Sequence, residues 1–141
     1  MNLFKDFYDL GLWIIHKLRP PIPVYIIVSR DYIKVINLEN GRTASEFSER
    51  KFSTSRLLIA DTIVAENFAA ELLNRVCSTI QLRTRSLKVV CHPLDNELSN
   101  LSPVEKMIFT DFVFQIGGRH IRIISNEKEL TVSELKSKYY A

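Results

Sequence analysis

Few residues in this 141-residue chain have both the type and the spacing to do chemistry. Cys77 and Cys91 form no CxxC pair and have no histidine at zinc-finger distance, so they read as reduced, buried thiols. Cys91 and His92 are adjacent in a predicted strand, where neighbours point to opposite faces, so they cannot work as nucleophile and base. His16, His92 and His120 lack metal-ligand spacing. A two-metal nuclease needs a carboxylate on its central strand, and the apolar run 24–28 contains none. Asp61 and Glu66 fit a helix start better than a reaction centre. The expectation is a protein that is not an enzyme, with no catalytic residue, metal or cofactor site. One cationic cluster remains. Arg75, Arg83, Arg85 and Lys88 have no acid between them and are candidate anion contacts. Exposed aromatics are not interleaved with them, which argues against nucleic acid.

Composition agrees with a globular module. Apolar residues are 46% and charged residues 25%, which excludes a disordered tail or a disulfide scaffold. Nineteen basic and sixteen acidic residues leave +3, too small a surplus to mark a nucleic-acid binder. No run reaches the roughly 18 apolar residues that span a bilayer, and no secretory signal opens the chain. A cytoplasmic protein is expected.

The elements follow from hydrophobic period and turn chemistry. Residues 1–19 predict an amphipathic helix, with Leu3, Phe4, Phe7, Tyr8, Leu10, Ile14, Ile15 and Leu18 on one side and Leu12 and Trp13 at its boundary. Pro20, Pro21 and Pro23 end it and make a stiff linker to a single domain over 24–141. Val24 to Val28 is a run of β-branched and aromatic residues suited to a strand buried on both faces. Tyr32 to Leu38 predicts a second strand. Asn40-Gly41 predicts a type I′ hairpin into a third strand at Arg42 to Phe47. A helix from Asp61 or Thr62 to about Thr79 carries the stripe Ala65, Phe68, Leu72, Val76, Ile80. Leu87 to Cys91 is a fourth strand. Ser102-Pro103-Val104-Glu105 is a capping box opening a helix to Ile116, which ends at Gly117-Gly118. Ile121 to Ile124 is a fifth strand, and Thr131 to Glu134 caps a last short helix. Two hairpins followed by strand–helix–strand units predict a mixed five-stranded sheet, order 3-2-1-4-5, with flanking helices. That is an α/β fold of the ribonuclease H-like class, the arrangement of an actin-like ATPase subdomain.

Two apolar surfaces stand out as candidate contacts for a protein partner, a second copy of the chain, or a membrane. One is the first helix, with Phe4, Phe7, Trp13 and Ile14. The other is the helix 103–116, whose Phe109, Phe112 and Phe114, with Val104, Met107 and Ile108, leave no clean polar side.

Several strings carry a resemblance. Leu58-Ile59-Ala60-Asp61-Thr62-Ile63-Val64-Ala65-Glu66 resembles the entry to the first long helix of MreB, the bacterial actin homologue of rod-shaped cells. Leu101-Ser102-Pro103-Val104-Glu105 resembles its capped second helix, and Gly117-Gly118-Arg119-His120-Ile121 resembles its step into the fifth strand. The match is to the first subdomain and covers about residues 24–138. It implies a cytoskeletal setting and, for the N-terminal helix, peripheral contact with the inner membrane. The family's Asp-x-Gly-Thr phosphate turn is missing: the matching stretch is Ile26-Ile27-Val28-Ser29-Arg30-Asp31. The expectation is a truncated actin-like domain that binds protein and does not turn over ATP. Two alternatives are a nucleic-acid-binding ribonuclease H-like module and an ATPase half-site completed by another chain.

Overall fold

The strand Ile22–Ser29, β1, sits in the middle of the sheet because every other residue of it is apolar on both sides. Ile22, Val24, Ile26 and Val28 enter one core, and Tyr25 and Ile27 enter the other. The computed structural model describes residues 3–95, 101–125 and 128–140, and no side chain within 12–18. β1 pairs antiparallel with β2 (Tyr32–Asn37) and parallel with β4 (Leu87–Pro93). β3 (Thr43–Phe47) extends β2, β5 (Gly118–Ile123) extends β4, and the order is β3-β2-β1-β4-β5. This is the ribonuclease H-like order expected from the sequence.

One face of the sheet is covered by α2 (Thr62–Val76) and α4 (Pro103–Gln115), with α3 (Thr79–Thr84) following α2. Asp61 caps α2 by accepting from the Val64 amide at 3.1 Å. Ser102 caps α4 through the Glu105 amide at 3.2 Å, while the Glu105 carboxylate takes the Ser102 hydroxyl. The other face carries a smaller core of Tyr25, Ile27, Ile36, Leu38, Val90, Ile124 and Leu135, closed by α5 (Val132–Lys138). The helix α1 (Leu3–Leu18) precedes β1.

Three local expectations are corrected. The long helix ends at Val76, and Ser78 and Gln81 form a separate capping box that starts α3. Ile80 therefore lies outside the core stripe and is exposed. The break is held by Asn37, whose buried Nδ2 donates to the Val76 carbonyl at 3.0 Å and takes up an orphan acceptor of the helix end. The Asn40-Gly41 hairpin is not type I′, because only Gly41 has a positive φ. Leu38 is buried and donates to the Pro23 carbonyl, which draws the loop 38–41 toward β1, and Asn37 donates to Arg42 across its base. The fifth strand starts at Gly118, earlier than the apolar residues alone suggest.

Gly117 takes φ +110°, the conformation that lets α4 turn directly into β5. A Cβ on Gly118 would lie 2.5 Å from Val113 Cγ1 and 2.9 Å from the Val113 carbonyl. Gly118→Ala is therefore expected to lower stability by about 1–3 kcal/mol, read from urea unfolding. An unchanged midpoint would show that the α4–β5 step tolerates a side chain.

Candidate functional site

The turn after β1 is filled by the chain itself. Asp31, at φ 51°, accepts on Oδ1 from the Phe52 and Ser53 amides, each at 2.8 Å. Its own amide donates to Ser53 Oγ at 2.9 Å. Arg30 pairs with Asp95 at 2.8 Å and donates to the Thr54 and Ser55 carbonyls. The two polar residues of the turn are thus engaged in anchoring the segment 48–58 over the end of the sheet. Among the described residues, no group of three or more His, Cys, Asp or Glu side chains comes together in a way that could hold a metal.

The buried polar groups lie deeper. Tyr25 Oη and His92 Nδ1 are 2.6 Å apart, and the Tyr25 hydroxyl accepts from the Leu130 amide at 3.2 Å. His92 is fully buried and is a core histidine. Its position follows from β4 running on through Pro93. Cys91 is also fully buried, and burial pushes its thiol far above the ordinary range; burial raises Cys77 too. A thiol held protonated in this way is a poor nucleophile.

The expected anion cluster does not assemble. Arg75 forms a fork with Glu46, and Arg85 forms one with Glu39 while its Nε holds the Pro20 carbonyl at 2.8 Å. Each pair holds its carboxyl below the usual range through hydrogen bonding. Lys88 lies over the Tyr140 ring. The acids that neutralise these cations come from β3 and the hairpin loop, distant in sequence. Arg83 is left exposed, and it lines a groove of about 640 Å³ with Leu82, Ile116, Arg119 and His120.

The aromatic contacts divide. Phe109 and Phe112 are 3% and 0% exposed and belong to the main core, which corrects their expected role as contact residues. α4 packs on the sheet and on α2 through Phe109, Phe112 and Val113, while its Val104 and Met107 stay exposed. Phe114 is half exposed, under the Arg119 guanidinium at 4.3 Å. Phe4 and Phe7 are 89% and 68% exposed, and Leu3, Tyr8 and Leu10 are exposed beside them. Trp13 and Ile14 lie outside the described side chains. α1 makes no extensive contact with the sheet or with another helix among the described residues. Its base is fixed where Arg19 donates to Thr84 at 3.0 Å and Arg85 holds Pro20. Among the described residues no helix is long and apolar enough to cross a membrane.

No known protein family matches the chain. No curated protein matches it either. Among solved structures it is similar to the ethanolamine utilization protein EutJ from Carboxydothermus hydrogenoformans, at 15% identity and a TM-score of 0.46. The match covers 76% of this chain and 36% of that one, so the chain spans well under two thirds of that structure. The fold assignment rests on the strand order itself.

Burial pushes the Tyr25 phenol from 10.0 up to about 12. Because the folded value lies above the unfolded one, the stabilisation is complete below pH 10 and disappears as pH rises through 12. Tyr25→Phe is expected to flatten that alkaline decline, with the Tyr140 phenol and the Cys91 and Cys77 thiols, all raised by burial, supplying the rest. At neutral pH the same variant loses about 1–3 kcal/mol, since the buried His92 gives up its hydrogen bond with Tyr25. Urea midpoints measured from pH 7 to pH 12 test both effects. A parallel decline in the two proteins would show that Tyr25 is not the titrating group.

Proposed function

We propose that this chain is a truncated actin-like domain, similar to the first subdomain of MreB, that works by contact and not by turnover. In this reading it is an interaction module of a cytoskeleton-associated assembly at the bacterial inner membrane. α1 is the contact element, and Phe4 and Phe7 enter the interface between headgroups and acyl chains. The observation that carries the reading is the state of α1. Five large apolar residues on it, from Leu3 to Leu10, are 51% to 89% exposed, beside a domain whose two cores are built from other elements among the described residues. An apolar face of that kind left in water is unfavourable and favours a covering surface.

The non-catalytic part rests on the β1–β2 turn. An actin relative holds nucleotide phosphates at that turn with a glycine and an aspartate. Here the turn is Arg30-Asp31, and both side chains are engaged by the segment 48–58 and by Asp95.

The test is co-sedimentation of the full chain with phospholipid vesicles, against the double variant Phe4→Asp, Phe7→Asp. Burying one phenylalanine contributes about 1.5–3 kcal/mol, so the double variant is expected to pellet at least about tenfold less. Its melting temperature should not change, because neither side chain packs on the domain. Equal pelleting of the two proteins would remove the membrane contact. A raised melting temperature in the presence of ATP and magnesium would argue against the non-catalytic reading.

A further inference from the structure

The groove beside the foot of α1 has the makings of an anion site that none of the preceding readings uses. Its cationic wall brings together elements far apart in sequence, Arg83 from α3 and Arg119 from β5, with Asn74, Ser86 and His120 as further polar lining. No Asp or Glu is among the described residues that line it. Arg85 also lines it, but the Glu39 fork already neutralises that guanidinium. Arg83 has neither an ion pair nor a hydrogen bond among the described residues.

Arg119 is held in place before any ligand arrives. Its Nη1 donates to the carbonyls of Phe114 at 3.0 Å and Gly118 at 2.9 Å, and its plane lies 4.3 Å from the centre of the Phe114 ring. Nε and Nη2 stay free to form a two-point fork. Planar guanidinium edges match phosphate oxygens in this way, and a side chain already immobilised loses little further entropy on binding. Leu82 and Ile116, both half-buried, supply apolar walls beside these donors.

We propose that this groove binds a phosphate group carried on a partly apolar molecule, with Arg83 and Arg119 as its principal contacts. A phospholipid headgroup and a free phosphomonoester share that chemistry. The site stands without the membrane reading of α1, and only the headgroup source rests on it. The position favours the headgroup. Pro21 lines the groove, and Arg19 and Pro20 are tied to Thr84 and Arg85, so α1 leaves the domain at the groove's edge. α1 with its linker has three basic and two acidic residues, a weak attraction to anionic lipid that Arg83 and Arg119 would strengthen.

The experiment uses the full chain with inorganic pyrophosphate as probe, followed by calorimetry and by melting temperature. The wild type should bind and be stabilised, and binding should weaken as salt is raised. Arg83→Ala and Arg119→Ala should each reduce affinity at least about tenfold. Arg119→Lys, which keeps the charge and loses the fork, should fall between. Arg83→Ala should keep the wild-type melting temperature without ligand, and Arg119→Ala, which gives up two carbonyl hydrogen bonds and a ring contact, should lower it modestly, so affinity is read from calorimetry on protein that is folded at the working temperature. Undetectable pyrophosphate binding, or equal binding by wild type and the Arg83→Ala, Arg119→Ala double variant, would overturn the site. Vesicles with and without phosphatidylglycerol then separate the sources. A charge-dependent pelleting that the double variant loses identifies a headgroup, and unchanged pelleting with lost pyrophosphate binding identifies a free phosphomonoester. Neither outcome depends on whether the Phe4 and Phe7 variants alter pelleting.

Discussion

The structure depends on β1 having no face open to water. Its alternate residues fill two cores, so it must be flanked by strands on both edges and by helices or loops on both faces. The antiparallel hairpin β1–β2 supplies one edge at the cost of a short turn. The other edge needs a parallel partner, and the chain can reach one only through a crossover, here α2 and α3. Once β4 is paired, α4 repeats the crossover and places β5. A single apolar octapeptide thus sets the order of all five strands.

The same constraint shapes the chemistry available at the sheet's end. A central strand that is apolar up to Ser29 contributes no carboxylate to this end of the sheet. The turn then brings Arg30 and Asp31, and the segment 48–58 is hydrogen-bonded to both. Asp31 behaves as a structural acceptor, with two amides on one carboxylate oxygen. Among the described residues the interior polar side chains are hydrogen-bonded: Tyr25 with His92, Asn37 with the end of α2, and Tyr140 with the backbone of Val24, Lys88 and Val90. Each satisfies groups that would otherwise be buried unpaired.

Much of this was legible in the residues. The double-sided burial of β1, the Asp61 and Ser102 caps and the glycine exit from α4 are short-range signals, and each predicts its element because the physics is local. What was not legible depended on residues distant in sequence. The Ser78–Gln81 capping box was written in the chain, but the stripe through Ile80 masked it. Nothing near Val76 announces that Asn37 and Asn40 will take its carbonyl and end the helix there. Arg75 and Arg85 read as free cations because Glu46 and Glu39 are far away in sequence. Arg119 was passed over for the converse reason: it joins Arg83 only when β5 is laid beside β4. Phe109 and Phe112 read as surface residues because an all-apolar helix does not say which of its sides meets the sheet.

Exposure and charge therefore have to be judged after pairing. Of the two apolar helices, α4 gives Phe109, Phe112 and Val113 to the core and leaves Val104, Met107 and Phe114 exposed, while the face of α1 from Leu3 to Leu10 remains in water. Of the cationic cluster, two members are neutralised, and the free donors regroup at the groove from which α1 departs. An apolar helix with little net charge and a cationic groove at its base are complementary in kind. Partition of Phe4 and Phe7 out of water is strong but indifferent to headgroup charge, whereas guanidinium forks are selective for anions but weak against salt. In the proposed reading the two are joined through a short linker containing Pro20 and Pro21, so engagement of one would raise the effective concentration of the other at the same surface. Neither element needs a rearrangement of the sheet to do this, which fits a domain whose two cores leave it little room to move.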